Sequence, residues 1–227
     1  MVSALVACLA TGYGAGRALR NGAAALVFLV LPVLAEPVTV VALGDSLTQG
    51  YGLPEDQGFV PQLQGWLDAQ GADAVVLNAG VSGDTTAGGL ARLDWALTPE
   101  TDALIVNLGG NDMLRGIDPA TSRANLEAIL QKAQARGLPV LLVGLRAPGN
   151  YGPEFKEAFD AMYPDLAAQY GAALELNFFI PLIDQTTRLL NPDDMQSDGI
   201  HPSASGVAKV VEALGPKVLD LLAKVPG

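Results

Sequence analysis

His201 is the only histidine in this 227-residue chain, and it stands in the run Asp198-Gly199-Ile200-His201-Pro202 near the C-terminus. Toward the other end, Gly44-Asp45-Ser46-Leu47-Thr48 follows an apolar, β-branched stretch. A serine hydroxyl attacks a carbonyl at neutral pH only with a base beside it, commonly a histidine held in one tautomer by a carboxylate. His201 is the one imidazole able to serve. Asp198, three residues earlier in a turn bounded by glycine and proline, can orient it from the same loop. Ser46 has to be delivered by the fold. A histidine base further predicts a rate that rises with pH as the imidazole loses its proton. Taken singly, each piece has a plainer reading, since Gly-Asp-Ser suits a turn or a helix N-cap and Asp-Gly is a common turn.

The elements that must bring these residues together can be read from the periodicity. Five apolar runs, 38–43, 74–77, 103–108, 140–144 and 173–176, alternate with stretches of helical spacing at 59–70, 85–97, 119–136 and 153–170, and a final helix is expected over 202–225. Such alternation predicts an α/β fold with a five-stranded parallel sheet. Gly71, Gly137 and Gly171 fall where helix C-caps belong. In doubly wound sheets the active site gathers outside the C-terminal ends of the strands. Ser46, Gly80 and Asn111 each follow a strand run by a few residues, which predicts that they share one edge.

Four motifs stand in order along the sequence: Gly44-Asp45-Ser46-Leu47-Thr48, Asn78-Ala79-Gly80-Val81-Ser82-Gly83-Asp84-Thr85, Gly109-Gly110-Asn111-Asp112, and Asp198-Gly199-Ile200-His201-Pro202. Together they resemble the four blocks of the GDSL or SGNH hydrolase superfamily. That resemblance implies a flavodoxin-like three-layer α/β/α sandwich and a serine mechanism without a cofactor. It assigns Ser46 as nucleophile, His201 as general base and acid, and Asp198 as the residue orienting it. It also implies an oxyanion hole made from the backbone N–H of Ser46, the backbone N–H of the block-two glycine, read as Gly80, and the side-chain amide of Asn111. Asp45 and Asp112 adjoin these positions and are read as fixing local turns.

The runs Met113-Leu114-Arg115-Gly116, Leu145 to Gly152, Glu157-Ala158-Phe159 and Met162-Tyr163-Pro164 look like the bacterial periplasmic arylesterase, acyl-CoA thioesterase and lysophospholipase branch. The expected substrates are therefore small acyl esters or thioesters: aryl esters, lysophospholipids or acyl-CoA. Met113, Leu114, Asn150 and Tyr151 are expected to line an acyl groove. A carbohydrate O-acetyl esterase uses the same apparatus and is the alternative. A non-catalytic binding module on this fold is disfavoured, because binding alone requires no Ser46, Asp198 and His201 together.

Composition narrows the remaining classes. Half of the residues are hydrophobic and 16% are charged, enough to bury a full core in one domain. Residues 1–35 contain Arg17 and Arg20 and no acidic residue, and end in an apolar run from Ala23 to Ala35. This pattern reads as a secretory signal cleaved after Ala35, too short to span a bilayer, so residues 36–227 are expected as a single domain, periplasmic or secreted, with no stable membrane anchor. Cys8 is the only cysteine, so the mature part would hold neither disulfide nor cysteine nucleophile. The net charge of −11 becomes −13 without the leader, which disfavours nucleic acid as a partner. One histidine and no mature cysteine argue against a zinc site. Ser46 is followed by Leu47 and Thr48 and so lacks the Gly-x-Ser-x-Gly elbow of α/β-hydrolases, and no P-loop occurs.

Overall fold

The computed structural model describes residues 36–226; the expected leader, residues 1–35, lies outside them. Five strands form one sheet: β1 (Val38–Gly44), β2 (Ala74–Gly80), β3 (Ala103–Asn107), β4 (Val140–Val143) and β5 (Ala173–Glu175). Every neighbouring pair is parallel, in the order β2-β1-β3-β4-β5. β3 and β4 are continuous apolar runs with every residue buried. A strand sandwiched between two helical layers has no polar face to keep. β2, on the sheet edge, leaves Val75 and Leu77 partly exposed.

Between and after the strands lie α1 (Ser46–Gln49), α2 (Phe59–Ala69), α3 (Thr86–Ala96), α4 (Gly110–Leu114), α5 (Pro119–Ala135), α6 (Pro153–Tyr170) and α7 (Ala204–Leu222). The long helices carry local stop and start signals. Thr85, Asp118 and Ser203 cap α3, α5 and α7 with side-chain oxygens that accept from backbone N–H groups. Gly71, Gly137 and Gly171 follow α2, α5 and α6 in the left-handed conformation. α2 packs with α7, and α5 packs with α3 and α6, so the sheet is covered on both faces by a core that includes Leu43, Leu63, Leu104, Ile105, Leu126 and Leu214.

Three differences from the sequence reading have plain causes. The last helix begins at Ala204 rather than Pro202, because Ser203 caps it and Pro202 is held in an isolated antiparallel bridge to Met195. β2 runs three residues past its apolar stretch, to Gly80, pairing in register with Gly44. α1 and α4, of four and five residues, were not expected as helices, since neither is long enough to display a helical period.

The order 2-1-3-4-5 fixes where a ligand can sit. The chain leaves β1 toward β2 on one side and returns to β3 on the other, opening a crevice between the C-terminal ends of β1 and β3. Both short helices start there: α1 directly after β1, α4 after β3.

Candidate active site

Ser46 is the first residue of α1. Asp45 precedes it with an irregular backbone, and its Oδ1 accepts the Leu47 N–H at 3.0 Å, which caps this single turn. The Ser46 hydroxyl is thereby turned toward the loop carrying the histidine. His201 Nε2 lies 2.9 Å from Ser46 Oγ, and His201 Nδ1 lies 2.6 Å from Asp198 Oδ2. The other Asp198 oxygen accepts the backbone N–H groups of Ile200 at 2.9 Å and His201 at 3.0 Å. One carboxylate therefore closes the turn through Gly199 and orients the imidazole. These bonds hold its pKa down, the side-chain bond to His201 foremost, to about 2. An ionised Asp198 accepts Nδ1–H, which leaves the Nε2 lone pair facing the Ser46 hydroxyl.

Asn111 is the second residue of α4, which begins at a left-handed Gly109 with φ 114°. A Cβ on Gly109 would lie 2.3 Å from the buried Tyr163 hydroxyl, which donates to Leu108 O at 3.0 Å; only glycine fits this approach. The Asn111 amide Nδ2 donates to Asp84 O at 2.9 Å and to Asp45 Oδ2 at 3.3 Å. Asp84 is braced in turn by Arg92, whose Nε lies 2.6 Å from Asp84 Oδ2 and whose Nη2 donates to Gly44 O at 2.9 Å. Asp112, buried, accepts from Thr86 N, Thr86 Oγ1 and Ser122 Oγ, and so ties α4 to α3 and α5. The sequence reading of Asp45 and Asp112 as local fixtures agrees with these contacts, although both reach well beyond their own turns.

A cleft of about 530 Å³ opens over this geometry, lined by Ser46, Gly83, Asn111, His201 and apolar side chains that include Met113, Leu114, Leu145 and Ile200. A second cleft, of about 490 Å³ beside β2, is lined by none of Ser46, Asp198 and His201. Ser46, Asp198, His201 and Asn111 are brought together as the motifs predicted. Gly80 is not. It ends β2, its N–H donates to Asn78 Oδ1 at 2.9 Å, and a Cβ there would lie 2.3 Å from Gln49 N, so this glycine serves close packing beneath α1. Gly83, three residues later, lines the cleft instead. Among the described residues its N–H has no protein acceptor, and neither has that of Ser46, which precedes the first intrahelical bond of α1. The displacement follows from the length of β2, and the signal available was the second glycine of the same motif.

Met113 and Leu114 line the cleft, whereas Asn150 and Tyr151 do not. Tyr151 stands behind Leu114, donating to its carbonyl at 3.2 Å and packing on Phe155. Arg146 and Pro148, from the same loop, take the lining positions. Tyr51, Phe179 and Leu190 complete them from irregular segments that carry no periodic signal.

The blocks, their order and this geometry agree with what was found among known proteins: residues 42–209 match the model of the GDSL-like lipase/acylhydrolase family. The chain belongs to that family. It is 43% identical over 205 residues to the esterase TesA of Pseudomonas aeruginosa, covering 90% of this chain and 98% of that one. It is 39% identical over 185 residues to the thioesterase 1/protease 1/lysophospholipase L1 of Escherichia coli K12, covering 81% and 85%. Among solved structures it resembles the psychrotrophic esterase EstA from Pseudoalteromonas sp., with a TM-score of 0.74 at 32% identity, covering 82% of this chain and 98% of that one. This acylhydrolase is a serine ester hydrolase on a three-layer α/β/α sandwich.

Asp45 gives the acylhydrolase a measurable pH signature. Burial raises its carboxyl pKa from 3.8 to about 6, against the bonds from Leu47 and Asn111. The folded chain therefore holds this proton between about pH 4 and 6 where the unfolded chain has lost it, and stability falls as pH rises through that window. Two units correspond to about 3 kcal/mol. Asp45→Asn lacks this titration. Its unfolding free energy relative to the parent, from urea melts, is expected to improve by about 3 kcal/mol between pH 4 and pH 7; a difference independent of pH would refute this account of Asp45.

Proposed function

We propose that Ser46, His201 and Asp198 form the catalytic triad of this acylhydrolase, with the backbone N–H groups of Ser46 and Gly83 and the Asn111 amide as oxyanion donors. The observation that carries this reading is the continuous line Asp198 Oδ2, His201 Nδ1, His201 Nε2, Ser46 Oγ, with spacings of 2.6 and 2.9 Å, whose Ser46 and His201 line an apolar cleft. Ser46 Oγ attacks the acyl carbonyl carbon while Nε2 takes the hydroxyl proton. The oxygen that gains negative charge meets the Ser46 and Gly83 N–H groups, which have no protein acceptor among the described residues. The Asn111 amide joins them by giving up its longer bond, the one at 3.3 Å to Asp45. Nε2–H then protonates the departing alcohol or thiol, leaving an acyl ester on Ser46. Water, deprotonated by the same nitrogen, releases the acid and restores the serine.

The substrates we propose are acyl esters and thioesters of small leaving groups: aryl esters, lysophospholipids and acyl-CoA. The apolar lining of Met113, Leu114, Leu145 and Ile200 suits the acyl chain, and Arg146, a half-exposed lining residue 3.7 Å from Asp160, offers a cation suited to a phosphate-bearing leaving group. The apolar stretch ending at Ala35 supports export to the periplasm or the medium.

A p-nitrophenyl alkylphosphonate tests the nucleophile directly. Attack by Ser46 Oγ on phosphorus expels p-nitrophenolate and leaves a stable adduct. Peptide mass spectrometry is expected to find one phosphonyl group on Ser46, with hydrolysis of p-nitrophenyl esters lost in proportion. A label on another residue, or full activity after labelling, would overturn the assignment.

A further inference from the structure

The base and the nucleophile come from opposite ends of the chain, and their alignment rests on how two irregular loops are joined. One loop follows α1, residues 50–53; the other holds the histidine, residues 195–202. Gln196 bridges them. Its backbone N–H donates to His201 O at 2.8 Å. Its side-chain Nε2 donates to Tyr51 O at 2.8 Å and to Pro202 O at 2.9 Å. Tyr51 N in turn donates to Ser46 O at 3.1 Å, and the Tyr51 ring rests on the His201 imidazole, with centroids 4.7 Å apart. A closed circuit results: Ser46 to Tyr51, Tyr51 to Gln196, Gln196 to His201, and His201 Nε2 back to Ser46 Oγ.

We propose that Gln196 is a positioning residue of this esterase: its carboxamide fixes the distance between the His201 imidazole and the Ser46 hydroxyl. The inference rests on the triad reading above. Apart from the His201–Ser46 contact itself, the carboxamide makes the one hydrogen bond between residues 46–53 and 193–203 among the described residues. Asp198 fixes the imidazole's rotation but bonds only within its own loop, to Ile200 and His201, so it cannot set how far that loop stands from Ser46. Both acceptors of the carboxamide NH₂ are main-chain carbonyls, so its two hydrogens hold backbone against backbone. A misplacement of about 1 Å between reacting groups costs on the order of a hundredfold in rate.

Gln196→Met keeps the chain length and removes both donors; Gln196→Glu keeps the shape and sets a carboxylate against two carbonyls. For Gln196→Met, kcat on a p-nitrophenyl ester is expected to fall about 10- to 100-fold with KM within about threefold, because the cleft walls are untouched. The rate of phosphonylation of Ser46 is expected to fall by the same factor, and Gln196→Glu to fall further. Ser46→Ala in the same assays separates the two readings: if it stays active, the triad assignment fails. If Ser46→Ala is inactive and Gln196→Met keeps kcat within about twofold, the positioning role alone is overturned. The role is also overturned if both Gln196 variants melt below the assay temperature, since Gln196 would then hold the fold rather than the alignment.

Discussion

His201→Ala is expected to lower kcat on the order of 10⁴- to 10⁶-fold, measured on a p-nitrophenyl ester at pH 7.5 with the unfolding midpoint determined alongside. The chain has one histidine, so no neighbouring imidazole can substitute. Without it the Ser46 hydroxyl keeps its proton through the attack, and the departing group leaves unprotonated. Asp198 cannot take over. Its carboxylate stands on the far side of the ring position from Ser46, and its Oδ1 stays engaged with the backbone N–H groups of residues 200 and 201. Because the two residues act as one unit, Ser46→Ala combined with His201→Ala is expected to cost no more than either alone. Whatever rate remains above water belongs to the oxyanion donors and the cleft. Activity within tenfold of the parent would remove His201 from the mechanism.

Asn111→Ala is expected to lower kcat about 10²- to 10³-fold with KM changed only a few-fold. The asymmetry follows from when the bond forms. The amide is engaged with Asp84 O and Asp45 Oδ2, and in the proposed mechanism it turns to substrate only as charge grows on the carbonyl oxygen. Ser46 N–H and Gly83 N–H remain in the variant, which keeps the loss below that of a triad residue. Asn111→Asp is expected to be worse, because it places an acceptor against the Asp84 carbonyl and the Asp45 carboxylate. A tenfold rise in KM with kcat unchanged would instead make Asn111 a ground-state binding residue.

How the motifs translated into positions depended on their range. Asp198 and His201 are three residues apart, and the bonds from Ile200 N and His201 N to Asp198 Oδ1 are local, so that this half of the proposed triad was legible as one turn. Ser46 and Asn111 were legible because parallel strands deliver the residues that follow them to one edge. Which glycine of the second block faces the cleft depended on where β2 stops. Pairing with β1 carried that strand on to Gly80, so that Gly83, the second glycine of the same motif, lines the cleft; the motif offers both glycines, and only the end of the strand chooses between them. Asn150 and Tyr151 failed as groove residues for a similar reason: Tyr151 packs on Phe155 in the first turn of the next helix, and the lining falls to Arg146 and Pro148.

The sequence by itself determined the chemistry and its frame. Strand and helix periods with their caps dictate a parallel sheet, and the single histidine with Asp198 beside it, together with the resemblance carried by the four ordered blocks, points to acyl transfer on Ser46. Tertiary structure alone decided the alignment. The 2.9 Å between His201 and Ser46, the Asp45 carboxyl buried against Asn111, and the Gln196 bridge to Tyr51 all join segments far apart in the chain. Such contacts depend on sheet register and loop packing, energies set by many residues at once, and so leave no spacing or composition to be read in advance.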